Sequence, residues 1–326
     1  MHLVNTVLGP ISADELGMTL MHEHVVFGFP GWYGDRSIAP LDREAIVTKS
    51  VLELNGLKKY GVSTIVDATT NDTGRNPDIY KEISEKTGIN IICSTGYYYE
   101  GEGAPAYFKF RRSLNDISNE IYDMFMKEAT EGIENTGIRA GVIKVSSSQG
   151  AISDYEKTFF KAAAKAQIDS GVPIITHTQR GTMGPEQADL LIENGANIKH
   201  IMIGHMSENT DIKYQMETLS KGVFIAFDRM GIQGFPGCPR DIERCACIIG
   251  LIGVGYANRI MMSHDTVSCW LGRPLMLPED MNNMLSDWKL SHIFDNILPI
   301  LRRAGVNDVQ VESMMTDNPK RFFRND

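Results

Sequence analysis

The chain has no run of five or more lysines and arginines, and its 32 basic residues are outnumbered by 41 acidic ones, for a net charge of −9. A protein built to hold a phosphate backbone or an anionic lipid surface needs a concentrated positive footprint, so nucleic acid and membrane are excluded as expected partners. Long hydrophobic runs are missing as well. The most apolar stretch, residues 245–257, falls far short of the roughly 20 residues that a bilayer-spanning helix needs. The opening MHLVNTVLGPISADEL carries no basic segment ahead of an apolar one, so no export signal is expected and a cytoplasmic location is. Cysteine is scarce: five, an odd number, are scattered over 326 residues. That excludes a disulfide framework and fits a reducing compartment. Linkers rich in proline, serine or glycine, repeats and low-complexity tracts are also lacking, so residues 1–326 are expected to form one domain.

What is present is a recurrent unit: a short apolar run that ends in polar or ionisable residues, then a loop, then a helical pattern. Eight such runs occur: MTLMHEHV, STIVDAT, INIICSTGYYY, RAGVIKVSS, PIITHTQ, HIMIGHMS, VFIAFDRM and RIMMSHDT. They are rich in Val, Ile and Met and apolar on both alternating faces, as strands covered on two sides must be. Helices punctuate the gaps. Asp42 is placed to cap a helix whose Val47, Val51, Leu54 and Leu57 share one face and which stops at Gly61. Pro77 and Asp78 open another that Gly88 closes, Ser153 and Asp154 open one that ends at Gly171, and residues 278–303 read as one long helix closing at Gly305. Strand and helix alternating eight times predicts an α/β chain folded as a single-domain (β/α)8 TIM barrel. A doubly wound open sheet is the runner-up, weakened because no G-x-G-x-x-G follows the first strand.

The ionisable residues fall at the ends of these runs: His22 and His24 on the first, Lys144 on the fourth, His177 on the fifth, His205 on the sixth and Asp265 on the eighth. In a parallel barrel all the C-terminal strand ends meet at one rim, so residues distant in sequence form one cluster. Strand alternation sends His22 and His24 one way and Glu23 the other. Four imidazoles and a carboxylate at that rim suit Zn²⁺, Fe²⁺, Co²⁺ or Mn²⁺. A single histidine at a strand end is ordinarily a hydrogen-bonded structural residue, but four of the eight histidines share equivalent positions. His2, His200 and His292 lack that placement and read as structural, and His264 should face away from Asp265. Lys144 lies between Ile143 and Val145 in a buried strand, where its pKa is driven down. It could pair with a carboxylate, act as a Schiff-base nucleophile, or capture CO₂ as a carbamate that bridges two cations; the histidines favour the carbamate. Cys238, Cys245 and Cys247 match no strong zinc spacing.

The H-E-H of residues 22–24, Lys144 in GVIKVS, His177 in PIITH, His205 in IGH, Asp265 in SHD and the closing DNPKRFF resemble the phosphotriesterase family of the amidohydrolase superfamily over nearly the whole chain. The resemblance implies two divalent metal ions, zinc first among the candidates. His22, His24 and Asp265 would hold the more buried one and His177 and His205 the other, bridged by N6-carboxylysine at Lys144 and by hydroxide. Asp265 would also carry a proton toward the leaving group.

Substrate class must come from the loops. Tyr98 in STGYYYEG resembles the tyrosine that the phosphotriesterase-like lactonase branch places over its metals, with aromatic packing as the alternative for Tyr97, Tyr98 and Tyr99. Arg229 resembles an arginine that this branch carries beside an acidic residue, here Asp228, with a structural ion pair between the two as the alternative. The segment TVSCWLGRPLMLPED supplies Trp270, Leu271, Leu275, Met276 and Leu277, and FGFPGWYGD supplies Phe27, Phe29, Trp32 and Tyr33. Such apolar loops could wall an acyl-chain site or pack a homodimer interface. The expectation is a small-molecule hydrolase opening acyl-homoserine or other hydrophobic lactones, with weak phosphotriesterase activity. Phosphotriesters, amides or carboxylic esters are the alternatives on the same centre. A Schiff-base lyase using Lys144 and a metal-free binding protein are the alternatives from other classes.

Overall fold

The computed structural model describes residues 3–103, 105–235 and 237–324. An antiparallel hairpin of β1 (Leu3–Thr6) and β2 (Gly9–Ser12) comes first. Then come β3 (Met18–Phe27), β4 (Val62–Asp67), β5 (Asn90–Gly96), β6 (Val142–Ser147), β7 (Ile174–Thr178), β8 (Ile201–Ile203), β9 (Phe224–Phe227) and β10 (Ile260–Met262). Each from β3 to β9 pairs in parallel with the next, and β11 (Val267–Trp270) pairs in parallel with β3. The ring closes where the end of β10 meets β3. There the His22 amide donates to Ser263 Oγ (3.0 Å), the Asp265 amide to the His22 carbonyl (3.0 Å) and the His24 amide to the Thr266 carbonyl (2.8 Å). All eight apolar runs are therefore the strands of the TIM barrel expected from the sequence.

The helices that cover the outside start and stop on local chemistry. Asp42 accepts from the Ala45 amide ahead of the helix Arg43–Leu57. Ser153 and Glu156 form a reciprocal capping box ahead of the helix Asp154–Ser170, and Gly171 ends that helix at φ 73°, a left-handed conformation that glycine adopts freely. The long helix read over residues 278–303 is not continuous. It breaks into Glu279–Met284, a π-type turn Ile293–Ile297 and Leu298–Arg303. Apolar spacing alone did not reveal the turn at residues 285–292, where Trp288 reaches back to the barrel.

Two layers of apolar packing position the site. Outward-facing residues such as Ile65, Ile143, Ile174 and Ile225 pack under the helices. Inside the barrel, Met21, Val66, Ile92, Val142, Ile175, Met202, Phe224 and Met261, one from each of the eight strands, form a layer with Phe322 and Phe323 from the closing segment and Val4 from the hairpin. These close the barrel at its N-terminal end. The polar site lies one layer above.

Candidate metal centre

Lys144 and His177 follow Val142 and Ile175 by two residues, so simple alternation turns them inward above the apolar floor. His22 does not follow that rule, because Met21 already faces inward. Between Leu20 and Glu23 the pairing with β4 slips by one residue, so that three steps on β3 match two on β4. This bulge lets Met21 and His22 both face the interior and restores alternation for His24. His205 also breaks the pattern: Gly204 takes the inward position, where any Cβ would strike the Thr176 carbonyl. A left-handed backbone at His205 (φ 55°) then swings its imidazole into the mouth, and Asp265 is held in the same conformation (φ 57°). Non-glycine residues in that region carry a cost of order 1–3 kcal/mol, and such strain gathers at functional sites.

The side chains converge. His22 Nε2 and His24 Nε2 approach Asp265 Oδ1 at 3.4 and 3.0 Å, and Lys144 Nζ lies 3.0 Å from His22 Nε2. The His177 and His205 rings sit 4.5 Å apart, and those of His22 and His205 4.7 Å. Ligand atoms of His22, His24 and Asp265 lie within 4.8 Å of one another, as do those of His22, His205 and Asp228. His177 adjoins these groups without belonging to either.

Hydrogen bonding from outside orients three of the four rings, those of His24, His177 and His205. Thr69 Oγ1 donates its only proton to the Val26 carbonyl, so it accepts from His24 Nδ1 at 2.8 Å and turns Nε2 toward the cluster. His177 Nε2 donates to Gln179 Oε1 (2.7 Å), and His205 Nδ1 to Asp228 Oδ1 (3.1 Å). His22 Nε2 faces the Lys144 amine, while its Nδ1 stands 2.8 Å from Asp228 Oδ2 outside hydrogen-bond geometry. Burial, reinforced by neighbouring positive groups, holds His22, His177 and His205 below the usual imidazole pKa, so they are neutral at pH 7. His24 Nε2 lies 3.0 Å from Asp265 Oδ1. Imidazoles aimed at a buried carboxylate, three of them anchored from behind, are the donor set that divalent cations require, and the residues present fit such ions.

Asp265 is held ionised. Burial pushes its carboxyl up, but His205, Arg229, His22 and the hydrogen bond from His24 outweigh it and hold the pKa well below the usual range. Arg229 Nε donates to Asp265 Oδ2 (2.9 Å) and its Nη1 to Glu208 Oε1 (2.7 Å). The alternative of a structural ion pair between Arg229 and Asp228 does not hold: Asp228 faces the barrel interior beside His22 and His205. Glu208 escaped sequence reasoning; its only signal is an acidic residue three positions after His205. Ser207 and the fully buried Arg244 clamp the Arg229 backbone (3.1 and 2.6 Å).

Above the polar groups lies a cavity of ≈ 200 Å³ walled by Phe27, Phe29, Tyr98, Ile232, Trp270 and Trp288. Tyr98 meets His177 edge to face at 5.0 Å, Tyr99 stacks on the same ring at 5.4 Å, and Tyr97 turns away to pack on Phe108 and Phe159. The apolar loops contribute only in part. Trp270 lines the cavity, whereas Leu271 packs in the core beneath Gly28 and Gly74 and Met276 is 91% exposed. Phe27 and Phe29 face the cavity; Trp32 and Tyr33 do not. Trp288, donating to the His264 carbonyl (3.0 Å), was not foreseen. His264 does face away, bonded to Glu23 (2.8 Å), while His200 and His292 bind the Phe322 carbonyl and Asp241, both at 2.7 Å. His2 lies outside the described residues.

Comparison with known proteins agrees with this arrangement. An organophosphorus hydrolase from Deinococcus radiodurans is 52% identical, with a TM-score of 0.97 over 99% of this chain and 97% of its own. A structure described as organophosphate hydrolysis engineered from a weak promiscuous lactonase template is 51% identical, with a TM-score of 0.97 over 99% and 100%. The aryldialkylphosphatase of Saccharolobus solfataricus is 33% identical over 96% of both chains. The model of the phosphotriesterase family, whose members use a binuclear metal centre, matches residues 2–323. With this barrel, this rim of histidines and a match along almost its whole length, the chain belongs to the phosphotriesterase family of hydrolases.

Proposed function

We propose that the protein is a lactonase acting on acyl-homoserine or other hydrophobic lactones, with weak phosphotriesterase activity. The observation that carries this reading is the position of Tyr98, its ring against His177 in a mouth walled by Phe27, Phe29 and Trp270. His22, His24 and Asp265 would hold one divalent ion and His177 and His205 the other, with zinc suited to the imidazole set. Lys144 would bridge them as N6-carboxylysine. Burial lowers its pKa to about 8 despite Asp265 and Asp228, so a useful fraction is neutral amine, able to attack CO₂ and lose a proton. When bound, the two cations would supply a hydroxide nucleophile at neutral pH and polarise the carbonyl.

The chain's own groups then divide the remaining work. Burial pushes the Tyr98 hydroxyl above the ordinary phenol range, so it stays protonated and can donate to the oxygen that gains charge as the planar carbonyl becomes tetrahedral. Asp265 takes a proton and passes it toward the departing ring oxygen. Arg229, tied to Glu208, fixes the orientation of Asp265. The aromatic wall excludes water and seats the acyl chain. The five unpaired cysteines support a cytoplasmic location, and the exposed Met276 and Leu275 support a homodimer, which sedimentation would test.

Relatives named for organophosphate chemistry make triester hydrolysis the second reading. The lyase and binding-protein alternatives end with the family assignment. With a long-chain acyl lactone and a paraoxon-like triester assayed side by side, kcat/KM should favour the lactone by at least about 10²-fold, or roughly 2.7 kcal/mol. Tyr98→Phe should depress lactone turnover more than triester turnover. A preference for triesters, or equal loss on both, overturns the assignment.

A further inference from the structure

At the opposite end of the barrel from the metal site, a cavity of ≈ 420 Å³ is lined by Lys199, Phe224, Asn258, Arg259, Arg321 and Arg324. Lys199 precedes β8, Asn258 and Arg259 precede β10, and Arg321 and Arg324 come from the closing helix Asn318–Phe323 and the residue after it. Three separate segments thus bring four cations to one concavity on a protein whose net charge is −9, and no carboxylate is among the described residues lining it. Among the described residues, Asp14 engages Arg324 at 3.4 Å and also pairs with Lys320.

Arg259 is the telling residue. It is half-buried, its guanidinium lies 5.0 Å over the Phe224 ring, and no ion pair to a carboxylate is formed by it among the described residues. Burial and the positive charge of Arg321 both act against its protonated form. Arg321 is steered into place by bonds to the Asn258 carbonyl (2.9 Å) and Asn318 Oδ1, both neutral acceptors. Its charge is oriented without being neutralised. Over a Debye length of about 8 Å the local cations outweigh the distant acidic surface. Guanidinium forks match the paired oxygens of phosphate and carboxylate groups, and the space and charge exceed what one monovalent ion could use.

We infer that this cavity is a binding site for a compact oxyanion carrying three or more charges, of the diphosphate or tricarboxylate class, held by Arg259, Arg321 and Lys199. Such an anion would tie the closing helix to the entrances of β8 and β10 and stabilise the barrel by mass action.

The test is calorimetric titration of the full-length, metal-loaded protein at fixed ionic strength with inorganic pyrophosphate and, separately, citrate. Either probe also chelates metal, so each titration is repeated on Arg259→Gln, Arg321→Gln and the double variant, which retain the metal rim. Saturable one-to-one binding is expected, weakened about tenfold by each single substitution and lost in the double variant, with lactone or triester turnover unchanged. Tighter pyrophosphate binding assigns the phosphate class, and tighter citrate binding the carboxylate class. Should a glutamine variant fail to fold, Lys199→Gln, on an exposed side chain, should weaken binding in the same direction. Equal affinity in wild type and variants, or no binding of either probe by the wild type, overturns the inference.

Discussion

Lys144 sits where a charged amine is hardest to keep, 2% exposed and 3.0 Å from an imidazole nitrogen. Its value lies in what it can become. Lys144→Ala should abolish a stoichiometry of two metals per chain, measured by elemental analysis, and CO₂ with a short carboxylic acid should partly restore it; full activity with two tightly held metals would exclude the bridge. Asp265→Asn keeps an oxygen but removes the charge that Arg229 holds in place, so turnover should fall 10²-fold or more, the scale of general-base loss. Near-normal kcat with metals retained would remove Asp265 from the chemistry. Lys144 and His177 were legible because strand alternation applies to them directly. His22 and His205 were nominated from their position in the chain, while the means by which they reach the site, a bulge and a left-handed residue, cannot be read from periodicity. The alternative that paired Asp228 with Arg229 fails because adjacency in sequence puts neighbours on opposite faces of a strand.

Among the elements, β5 delivers Tyr97 and Tyr98, and its end is braced from outside the barrel. Glu128 takes a two-pronged bond from Arg75 (2.7 and 2.9 Å) and a hydrogen bond from Thr95 (2.5 Å), while Asn71 Oδ1 receives the Gly96 amide (3.0 Å). Removing one partner of a buried pair costs about 3–5 kcal/mol, so Glu128→Gln should lower stability to urea by that order and loosen the tyrosine loop. Burial raises the Glu128 carboxyl, but Arg75, Thr95 and Asn71 outweigh it and the native pKa falls below the ordinary 4.5. The stabilisation is therefore complete above 4.5 and is lost as pH falls through the native value. The gap between wild type and Glu128→Gln should be constant from about pH 7 to pH 5 and shrink below that; a gap that widens in acid would contradict the pairing. Helices bounded by Asp42, Ser153 and Gly171 were legible because caps and stops are local chemistry. The hairpin, β11 and the break within residues 278–303 depend on what they pack against, which local pattern does not encode.

For the whole molecule, eight apolar runs sufficed to announce a barrel, but not the way its lower end is sealed. Phe322 and Phe323, 0% and 2% exposed, share the interior layer with residues of every barrel strand. Phe322→Ala should cost about 3–5 kcal/mol in urea unfolding, more than any exposed substitution on the closing helix, through lost burial and a cavity inside the ring. A cost below 1 kcal/mol would show that the floor does not depend on it. The order of synthesis gives this seal another meaning. All eight strands leave the ribosome before the segment that plugs them does, and at about 5–20 residues per second the gap lasts several seconds. Throughout that interval the nascent ring has an open, greasy base, so chaperone dependence during translation should fall on this last stretch of the message, and rare codons placed between β10 and Phe322 should lower the yield of folded protein.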